Sequence, residues 1–321
     1  MATYLVTGGA GFIGSHLVET LLRRGETVRV MDNFLTGSRG NLAPFQDRIE
    51  LFERDITQPD ELPDAFEGVD YVLHQAALPS VPRSVADPAL CHAACATGTL
   101  NVLVAAKEAG VKRVVYAASS SAYGDVESDF KTEDMTPQPL SPYAVAKLTG
   151  EQYCQVFHRI YGLETVALRY FNVFGPRQDP DSPYSAVIPL FMKAMLDGQS
   201  PTIFGDGTQS RDFTYIDNVV HGNLLACVAD GQNVGGQIIN LACGDNITLL
   251  ALVENLNKLL GRRIVPNYAP PRQGDVKHSR ADIAKAGRLL GYEPQVSFAE
   301  GLARTLDWFQ DDLPTQIDDP H

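Results

Sequence analysis

Positively charged residues and cysteines are both scarce in this sequence, and each shortage excludes a class of function. Lys and Arg number 26 against 39 Asp and Glu, so the net charge of the 321 residues is -13. Such a charge repels nucleic acid and anionic membranes, and we expect neither as a partner. The five cysteines are scattered, and Cys91 and Cys95 have helical spacing rather than the C-x-x-C spacing of a metal or redox site. We therefore expect reduced thiols, no metal and a cytoplasmic location.

Long hydrophobic segments are also missing. No uninterrupted apolar run reaches the roughly 18 residues of a membrane span. Met1 leads directly into a short apolar run, without the basic and hydrophobic regions of a secretory signal. Hydrophobic residues nevertheless make up 44% of the chain, which is enough for a sizeable core. A globular protein is predicted, neither secreted nor inserted in a membrane.

Short β-rich runs alternate with helical patterns through the first half of the chain. This alternation predicts a parallel sheet with crossover helices, and so a doubly wound α/β fold. The predicted strands cover residues 2–7, 27–32, 49–53, 69–74, 114–118 and 165–169, and the predicted helices cover residues 11–24, 86–109 and 143–161.

A glycine-rich turn, TGGAGFIG at 7–14, joins the first predicted strand to the first predicted helix. Its glycines permit a tight turn and a close approach of the backbone to a pyrophosphate, which the helix N-terminus attracts. Asp32 ends the second predicted strand, where a carboxylate accepts hydrogen bonds from ribose hydroxyls and repels a 2′-phosphate. The sequence therefore predicts a Rossmann domain that binds NAD rather than NADP. A glycine-rich turn without a ligand is the disfavoured alternative.

The regular alternation ends after Asn172. Five prolines lie between residues 176 and 201 and indicate a second lobe. We assign residues 1–172 to the NAD-binding domain and residues 173–321 mainly to a smaller α/β lobe that binds substrate. Residues 215–241 again have the pattern of a helix followed by a strand, and we expect them to return to the first domain.

Polar side chains are predicted to meet at the edge where the strands end. Tyr143 and Lys147 are four residues apart in a predicted helix and share one face, and Ser119, Ser120 and Ser121 follow the fifth predicted strand. A tyrosine, with a pKa of about 10, needs a nearby cation to act as a base at neutral pH. Lys147 and an oxidised nicotinamide can supply that charge. Alone, such patterns are usually a helix face and a turn; beside a dinucleotide loop we interpret Ser119, Tyr143 and Lys147 as catalytic.

Along nearly its whole length the chain resembles the extended short-chain dehydrogenase/reductases. The matching segments are TGGAGFIG at 7–14, HQAA at 74–77, SSSAYG at 119–124, YAVAK at 143–147 and RYFNVFGPRQ at 169–178. Within that family it is similar to UDP-sugar 4-epimerases, and most closely to UDP-N-acetylglucosamine 4-epimerases. That similarity is carried by LPSVPRS at 78–84, SAVIP at 185–189, SRDFTYIDN at 210–218 and PPRQGDVKHSRADI at 270–283.

The resemblance implies that a homodimer inverts C4 of a UDP-hexose, N-acetylated or plain, through a 4-keto intermediate. Tyr143 would take the proton of the 4-hydroxyl, Ser119 would bind the same oxygen, and Lys147 would hold the nicotinamide ribose. The implied cofactor contacts are Gly8, Gly11, Phe12, Ile13, Gly14, Asp32, Asn33, Asp55, Ile56, Ala76, Tyr143 and Lys147. The implied substrate contacts are Ser80, Ser120, Ser121, Asn172, Ala186, Val187, Arg211, Arg272, Asp275 and Ser279.

Some of these assignments have ordinary alternatives. Arg211 and Arg272 are expected at the phosphates, because guanidinium groups bind phosphate bidentately, although most arginines are surface residues. Asp55 either reaches the adenine or serves only in a turn. Ala186 and Val187 either line the sugar or uracil pocket or pack in the core.

Four positions disfavour related reactions. Sugar-nucleotide dehydratases of the resembling family carry an Asp-Glu pair where this chain has Ser120 and Ser121, and UDP-glucuronate decarboxylases retain a Glu at the place of Ser121. Many UDP-glucuronate 4-epimerases have Thr in place of Asn172 and Arg in place of Asp179, and Asp179 would repel a substrate carboxylate. UDP-glucuronate 4-epimerase is the alternative that we keep, ahead of a dehydratase or a non-catalytic NAD-binding protein.

Ser279 is expected to set the size of the sugar pocket. In the resembling epimerases a Tyr at this place restricts the enzyme to plain hexoses, so the small Ser279 implies room for an N-acetyl group. The alternative is that Ser279 caps a helix that begins near Ala281.

Overall fold

The computed structural model describes residues 1–180, 186–271 and 277–312. Its strands are β1 (Thr3–Thr7), β2 (Thr27–Asp32), β3 (Glu50–Glu53), β4 (Tyr71–His74), β5 (Arg113–Ser119), β6 (Glu164–Tyr170), β7 (Val173–Phe174), β8 (Thr202–Phe204), β9 (Ser210–Arg211), β10 (Thr214–Tyr215), β11 (Gln237–Leu241), β12 (Ile247–Thr248), β13 (Asn267–Ala269) and β14 (His278–Ser279). Its α-helices are α1 (Phe12–Arg23), α2 (Pro63–Phe66), α3 (Val81–Ala86), α4 (Pro88–His92), α5 (Gly98–Glu108), α6 (Pro142–Tyr161), α7 (Val187–Leu196), α8 (Ile216–Val228), α9 (Gly231–Val234), α10 (Leu249–Leu260), α11 (Ala284–Leu290) and α12 (Phe298–Asp312).

Seven parallel strands form the central sheet, in the order β3-β2-β1-β4-β5-β6-β11. Apolar residues of α1 and α8 pack on one face of this sheet, and those of α5 and α6 pack on the other. The predicted doubly wound parallel sheet is confirmed. The predicted strand ends agree with the observed ones to within two residues, and the second strand, 27–32, agrees at both ends. The remaining differences arise because pairing with neighbours decides where a strand ends.

The central strands are buried on both faces, which explains why they read as continuous apolar runs rather than alternating ones. On β5, Val114 belongs to the core beside α5 and α6, and Val115 belongs to the core beside α1 and α8. Both side chains are fully buried. The sheet is therefore a rigid base for the loops that follow its strands.

The chain returns to this sheet after entering the second lobe. β11 pairs in parallel with β6, with Ile238 opposite Ala167. The region in which the sequence pattern predicts a helix followed by a strand thus supplies α8 and the edge strand of the sheet.

The second lobe is built from short strands in small sheets, β10-β7, β12-β9-β14 and β13-β8. The side chain of Asp212 connects separate segments of this lobe through hydrogen bonds. The buried carboxylate accepts backbone N–H bonds from Cys243 (3.0 Å), Gly244 (3.0 Å) and Ala281 (3.1 Å). One side chain thereby fixes the turn after β11 and the segment after β14 relative to β9.

Residues 88–108 form one apolar helical segment, in which a π-helical turn (Ala93–Thr97) separates α4 from α5. Within the described part of the chain it is the one helix long and apolar enough to pass as a membrane span by composition, with 44% of its window buried inside the fold. Helices of soluble cores pass the same test. Its start differs from the predicted residue 86, because the Asp87 carboxylate caps α4 by accepting the Leu90 N–H (2.9 Å) and Pro88 follows.

Candidate active site

The carboxyl ends of the sheet strands open into a cavity of about 950 Å³. Among the residues proposed as ligand contacts, most line it: Gly8, Gly11, Phe12, Ile13, Gly14, Asp32, Asn33, Asp55, Ile56, Ala76, Ser119, Ser120, Ser121, Tyr143, Lys147, Asn172, Ala186, Arg211 and Ser279. Ligands of open α/β sheets bind at this edge. The fold thus brings the predicted cofactor and substrate positions to one place.

The glycine loop lacks side chains where a ligand would approach its backbone. Gly8 has φ +70°, and a Cβ there would lie 2.6 Å from the Ala76 nitrogen; a Cβ on Gly14 would lie 2.1 Å from the Gly8 oxygen. Helix α1 begins after Gly11 without a side-chain cap, so its first N–H groups are not occupied by a capping side chain. This combination fits the pyrophosphate of a dinucleotide.

Asp32 organises the far end of the same loop. Its carboxylate accepts N–H bonds from Ala10 (2.9 Å) and Phe34 (2.8 Å), and burial raises the pKa of this carboxyl. Asp32 also lines the cavity at the tip of β2. The arrangement fits a ribose with free hydroxyls and disfavours a 2′-phosphate.

Asp55 serves in a turn and lines the cavity as well. Its carboxylate accepts the Thr57 N–H (2.8 Å) and the side-chain amide of Asn33 (2.9 Å). Both residues of this pair, Asn33 and Asp55, line the cavity. The two alternatives posed by the sequence are therefore compatible.

Tyr143 and Ser119 both line the cavity. Burial raises the pKa of the Tyr143 phenol above its ordinary value, and a hydrogen bond with Ser119 opposes that shift. The Ser119 hydroxyl also accepts from the Ser121 hydroxyl (2.8 Å) and the Ser121 N–H (3.2 Å). Ser119 is thereby oriented by its neighbour in the turn that follows β5.

Lys147 lies one helical turn after Tyr143 and is almost completely buried. Its ammonium donates to the Ala117 carbonyl of β5 (2.7 Å) and lies 4.8 Å from the ring centroid of Tyr116. Burial lowers the pKa of this amine. Ser141 caps the helix by accepting the Ala144 N–H (3.1 Å), which places the first turn of α6, with its catalytic candidates, against the strand ends.

The substrate candidates divide between two adjoining cavities. Val187 lines a second cavity of about 250 Å³, which shares Asn172, Ala186 and Arg211 with the first. Ser80 does not line the first cavity, although its neighbours Pro79 and Val81 do. Its hydroxyl caps α3 instead, by accepting the Arg83 N–H (3.2 Å). Arg272 and Asp275 fall outside the described residues.

Ser279 belongs to β14, where it pairs with Arg211 of β9. Helix α11 begins at Ala284 and follows Ile283. The capping alternative for Ser279 is therefore wrong, and the residue lies in the cavity wall instead.

Two buried groups beside the site were not anticipated. Glu151 and Arg169 form an ion pair on the sheet-facing side of α6. The His74 ring is hydrogen-bonded through Nδ1 to the Thr7 hydroxyl (2.7 Å) and through Nε2 to the Thr99 hydroxyl (3.0 Å). The only available signal was the spacing of Glu151, four residues after Lys147. Among the described residues, no three of His, Cys, Asp and Glu come together to hold a metal.

The fold and the cavity define a dinucleotide-binding enzyme, and Ser119, Tyr143 and Lys147 line that cavity. The chain matches the NAD dependent epimerase/dehydratase family over residues 4–242. It belongs to this family, and its cofactor is NAD.

Three solved structures of 4-epimerases are similar to this chain over nearly its whole length. UDP-glucose 4-epimerase of Thermotoga maritima, with UDP-glucose, is 39% identical with a TM-score of 0.92, covering 97% of this chain and 99% of that one. UDP-N-acetylglucosamine 4-epimerase of Methanobrevibacter ruminantium M1, in complex with UDP-N-acetylmuramic acid, is 40% identical with a TM-score of 0.92 and the same coverage. A variant of Bacillus cereus UDP-glucuronic acid 4-epimerase, with a fluorinated UDP-glucuronic acid and NAD, is 36% identical with a TM-score of 0.89, covering 96% and 99%.

Proposed function

We propose that this protein is a cytoplasmic, homodimeric UDP-hexose 4-epimerase that interconverts UDP-N-acetylglucosamine with UDP-N-acetylgalactosamine and UDP-glucose with UDP-galactose. The observation that carries the proposal is that Ser119, Tyr143 and Lys147 line the same cavity as the glycine loop, with Lys147 one turn after Tyr143 on α6. The family and the likeness to 4-epimerases support the reaction type.

NAD, which the glycine loop and Asp32 would hold, would supply a reversible hydride acceptor for C4 of the sugar. Tyr143 takes the proton of the 4-hydroxyl while Ser119 donates a hydrogen bond to the same oxygen, which leaves a 4-keto sugar. The ketone turns in the cavity, C4 is reduced on its other face, and Tyr143 returns its proton to the C4 oxygen, which becomes the new hydroxyl. Because burial raises the pKa of Tyr143, the phenolate depends on positive charge nearby, which Lys147 and the oxidised cofactor supply.

The nucleotide half of the substrate would lie across the two cavities. Arg211 lines both, and a guanidinium there suits the diphosphate; Arg272 is proposed to join it, and Asp275 to bind the uridine ribose. The smaller cavity, with Val187 and Phe204 in its wall, is the proposed uracil site. Asn172, at the boundary of the cavities, would contact the sugar or a phosphate.

UDP-glucuronate is the second candidate substrate, favoured by the likeness to the Bacillus cereus enzyme. Asp179 lines the large cavity, and its charge would repel a carboxylate on the sugar. The Asp-Glu pair of the resembling dehydratases is replaced by Ser120 and Ser121, which both line the cavity as hydroxyls. Dehydration therefore ranks lower.

The purified protein, incubated without added cofactor, should epimerise UDP-N-acetylglucosamine and UDP-glucose and leave UDP-glucuronate largely unchanged. Products are resolved by chromatography, and NADH is followed by absorbance in the same samples. Because the hydride returns in each cycle, no NADH should accumulate. A requirement for stoichiometric oxidant, or steady release of NADH, would contradict epimerisation and indicate a dehydrogenase. Conversion of UDP-glucuronate alone would select the second candidate.

A further inference from the structure

Lys147 is a buried cation whose described hydrogen-bond partner is a neutral group. Its ammonium donates to the Ala117 carbonyl, and the residue is 3% exposed. Burying an unpaired charge is costly, so an isolated lysine at this depth tends to lose its proton. A neutral Lys147 could not supply the positive charge that Tyr143 needs in the proposed mechanism.

A carboxylate lies one helical turn further along α6. Glu151 is completely buried and forms two hydrogen bonds with Arg169 of β6, from Nε (2.9 Å) and Nη2 (2.7 Å). Arg169 pairs across the sheet with Ala118, the residue after the carbonyl that holds Lys147. The ion pair and the lysine therefore occupy neighbouring positions in the same layer between α6 and the sheet.

Arg169 extends the unit to the cavity wall. Its guanidinium lies 4.5 Å from the ring centroid of Tyr123, and Tyr123 lines the cavity. The Tyr123 hydroxyl donates to the Asn240 side chain (2.6 Å). These contacts fix the guanidinium and, through its two hydrogen bonds, the carboxylate of Glu151.

We infer that the Glu151–Arg169 ion pair is a positioning unit for Lys147, which keeps the amine protonated and held against β5. The inference deepens the proposed function, because it concerns the charge that acts on Tyr143. Glu151 touches neither cofactor nor substrate positions and acts through Lys147. A fully buried ion pair adds little stability compared with apolar side chains of similar size, which favours an electrostatic role.

Burial disfavours a charge on most of the other titratable groups around Lys147. Burial raises the pKa of Tyr116, Tyr143 and Cys154, and raises the pKa of Cys91 to about 12. Burial lowers the pKa of His74 to about 3, so its ring is neutral. Cys95 is a further neighbour, and its Sγ accepts a hydrogen bond from the Leu78 N–H (3.3 Å). Burial raises the pKa of Glu151 too, but the hydrogen bonds from Arg169 oppose that shift and stabilise the carboxylate.

The test replaces the pair by apolar side chains in the full-length protein, Glu151→Met with Arg169→Met, which avoids leaving one charge unpaired. The titration of Lys147 is followed by NMR of ¹³C-labelled lysine and assigned with Lys147→Arg. We expect its midpoint to fall by about one pH unit or more, since one unit corresponds to a tenfold change in the protonation equilibrium. The alkaline limb of kcat should move in the same direction, with KM for the UDP-sugar little changed.

A matched control is Arg113→Met with Glu164→Met, an ion pair that joins β5 to β6 at the opposite end of β6 from Arg169. It should leave the Lys147 titration in place. An unchanged midpoint in the folded Glu151 and Arg169 variant would overturn the inference and leave the pair as packing. If that variant does not fold, Glu151→Gln with Arg169→Gln preserves hydrogen bonding without charge and is judged by the same midpoint. A shifted midpoint in a protein that epimerises no UDP-sugar would contradict the proposed function and not the positioning role.

Discussion

At the scale of single residues, the Tyr143 hydroxyl is the group on which the proposed chemistry depends most. Tyr143→Phe removes the proton acceptor and keeps the ring, so UDP-sugar binding should persist while kcat falls roughly a hundred- to ten-thousand-fold. Turnover and ligand binding are measured on the same preparation. Tyr153→Phe, on the same helix and packed away from the cavity, should retain activity. Near-normal turnover of the Tyr143 variant would mean that another group is the base.

Ser279 tests the size of the sugar pocket. A tyrosine ring in this wall would take the space that an N-acetyl group needs, and a packed site tolerates such overlap poorly. Ser279→Tyr should therefore lose UDP-N-acetylglucosamine epimerisation selectively and keep UDP-glucose activity. Ser279→Ala preserves the space and should keep both. Equal loss of both activities in the tyrosine variant would refute the pocket assignment.

His74 makes stability depend on pH. Its pKa is about 3 in the folded protein and about 6.5 when unfolded, so folding favours the neutral ring. The stabilisation is complete above the unfolded value and is lost as the pH falls through it, by about 2 kcal/mol between pH 7 and pH 5. Urea unfolding at both pH values should show this loss, and His74→Gln should remove it. The contribution of His16 has the same sign and is common to both proteins, so it cancels. Equal pH slopes would contradict the assignment.

At the scale of elements, the position of α6 depends on a close approach to β5. A Cβ on Gly150 would lie 2.3 Å from the Tyr116 hydroxyl, which donates to the Lys147 carbonyl (3.2 Å). Tyr116 is fully buried and cannot move aside. The helix therefore lies where it does because residue 150 has no side chain.

Gly150→Ala should destabilise the protein by about 1–3 kcal/mol, the usual cost of overpacking. The gain in helix propensity of up to ~1 kcal/mol opposes this cost. Gly287→Ala, in α11, has no atom closer than 3.7 Å to the added carbon and should be neutral or stabilising. The urea unfolding midpoints of the two variants are compared with that of the wild-type protein. An unchanged midpoint for Gly150→Ala would show that α6 can shift freely.

Elements with local signals could be predicted, and contacts between distant segments could not. The glycine loop, Asp32 and the spacing of Tyr143 and Lys147 are written in short stretches whose meaning depends on a strand followed by a helix. The Glu151–Arg169 pair and the three N–H bonds to Asp212 join segments far apart in the chain. No local pattern says which carboxylate faces which donor. The break before α4 was missed because an apolar stretch conceals the cap at Asp87.

At the scale of the whole molecule, the outer face of α6 is the proposed dimer surface. Val145, Val156 and Ile160 are exposed there, and Val104 is exposed on the neighbouring α5. These residues form an apolar stripe with helical spacing, of the kind that pairs with a second copy.

Val156→Lys with Ile160→Lys should convert the dimer to a monomer in sedimentation velocity, because each charge would be buried against its symmetry mate. Val265→Lys, at an exposed apolar residue of the second lobe, is the control and should stay dimeric. A monomeric wild-type protein would show that there is no dimer. A dimeric Val156 and Ile160 variant would show that the interface lies elsewhere.

The order of the sheet has a consequence for the newborn chain. The first six strands have been synthesised once the chain reaches residue 170, but β11 is synthesised only with residues 237–241. Until then β6 presents an open edge of unpaired backbone groups, a ready template for pairing with another chain. Domains generally fold as units during synthesis, yet this sheet must wait until residues 171–236 have been translated. Translation pauses between these two strands should therefore favour aggregation of the nascent protein more than pauses after residue 241.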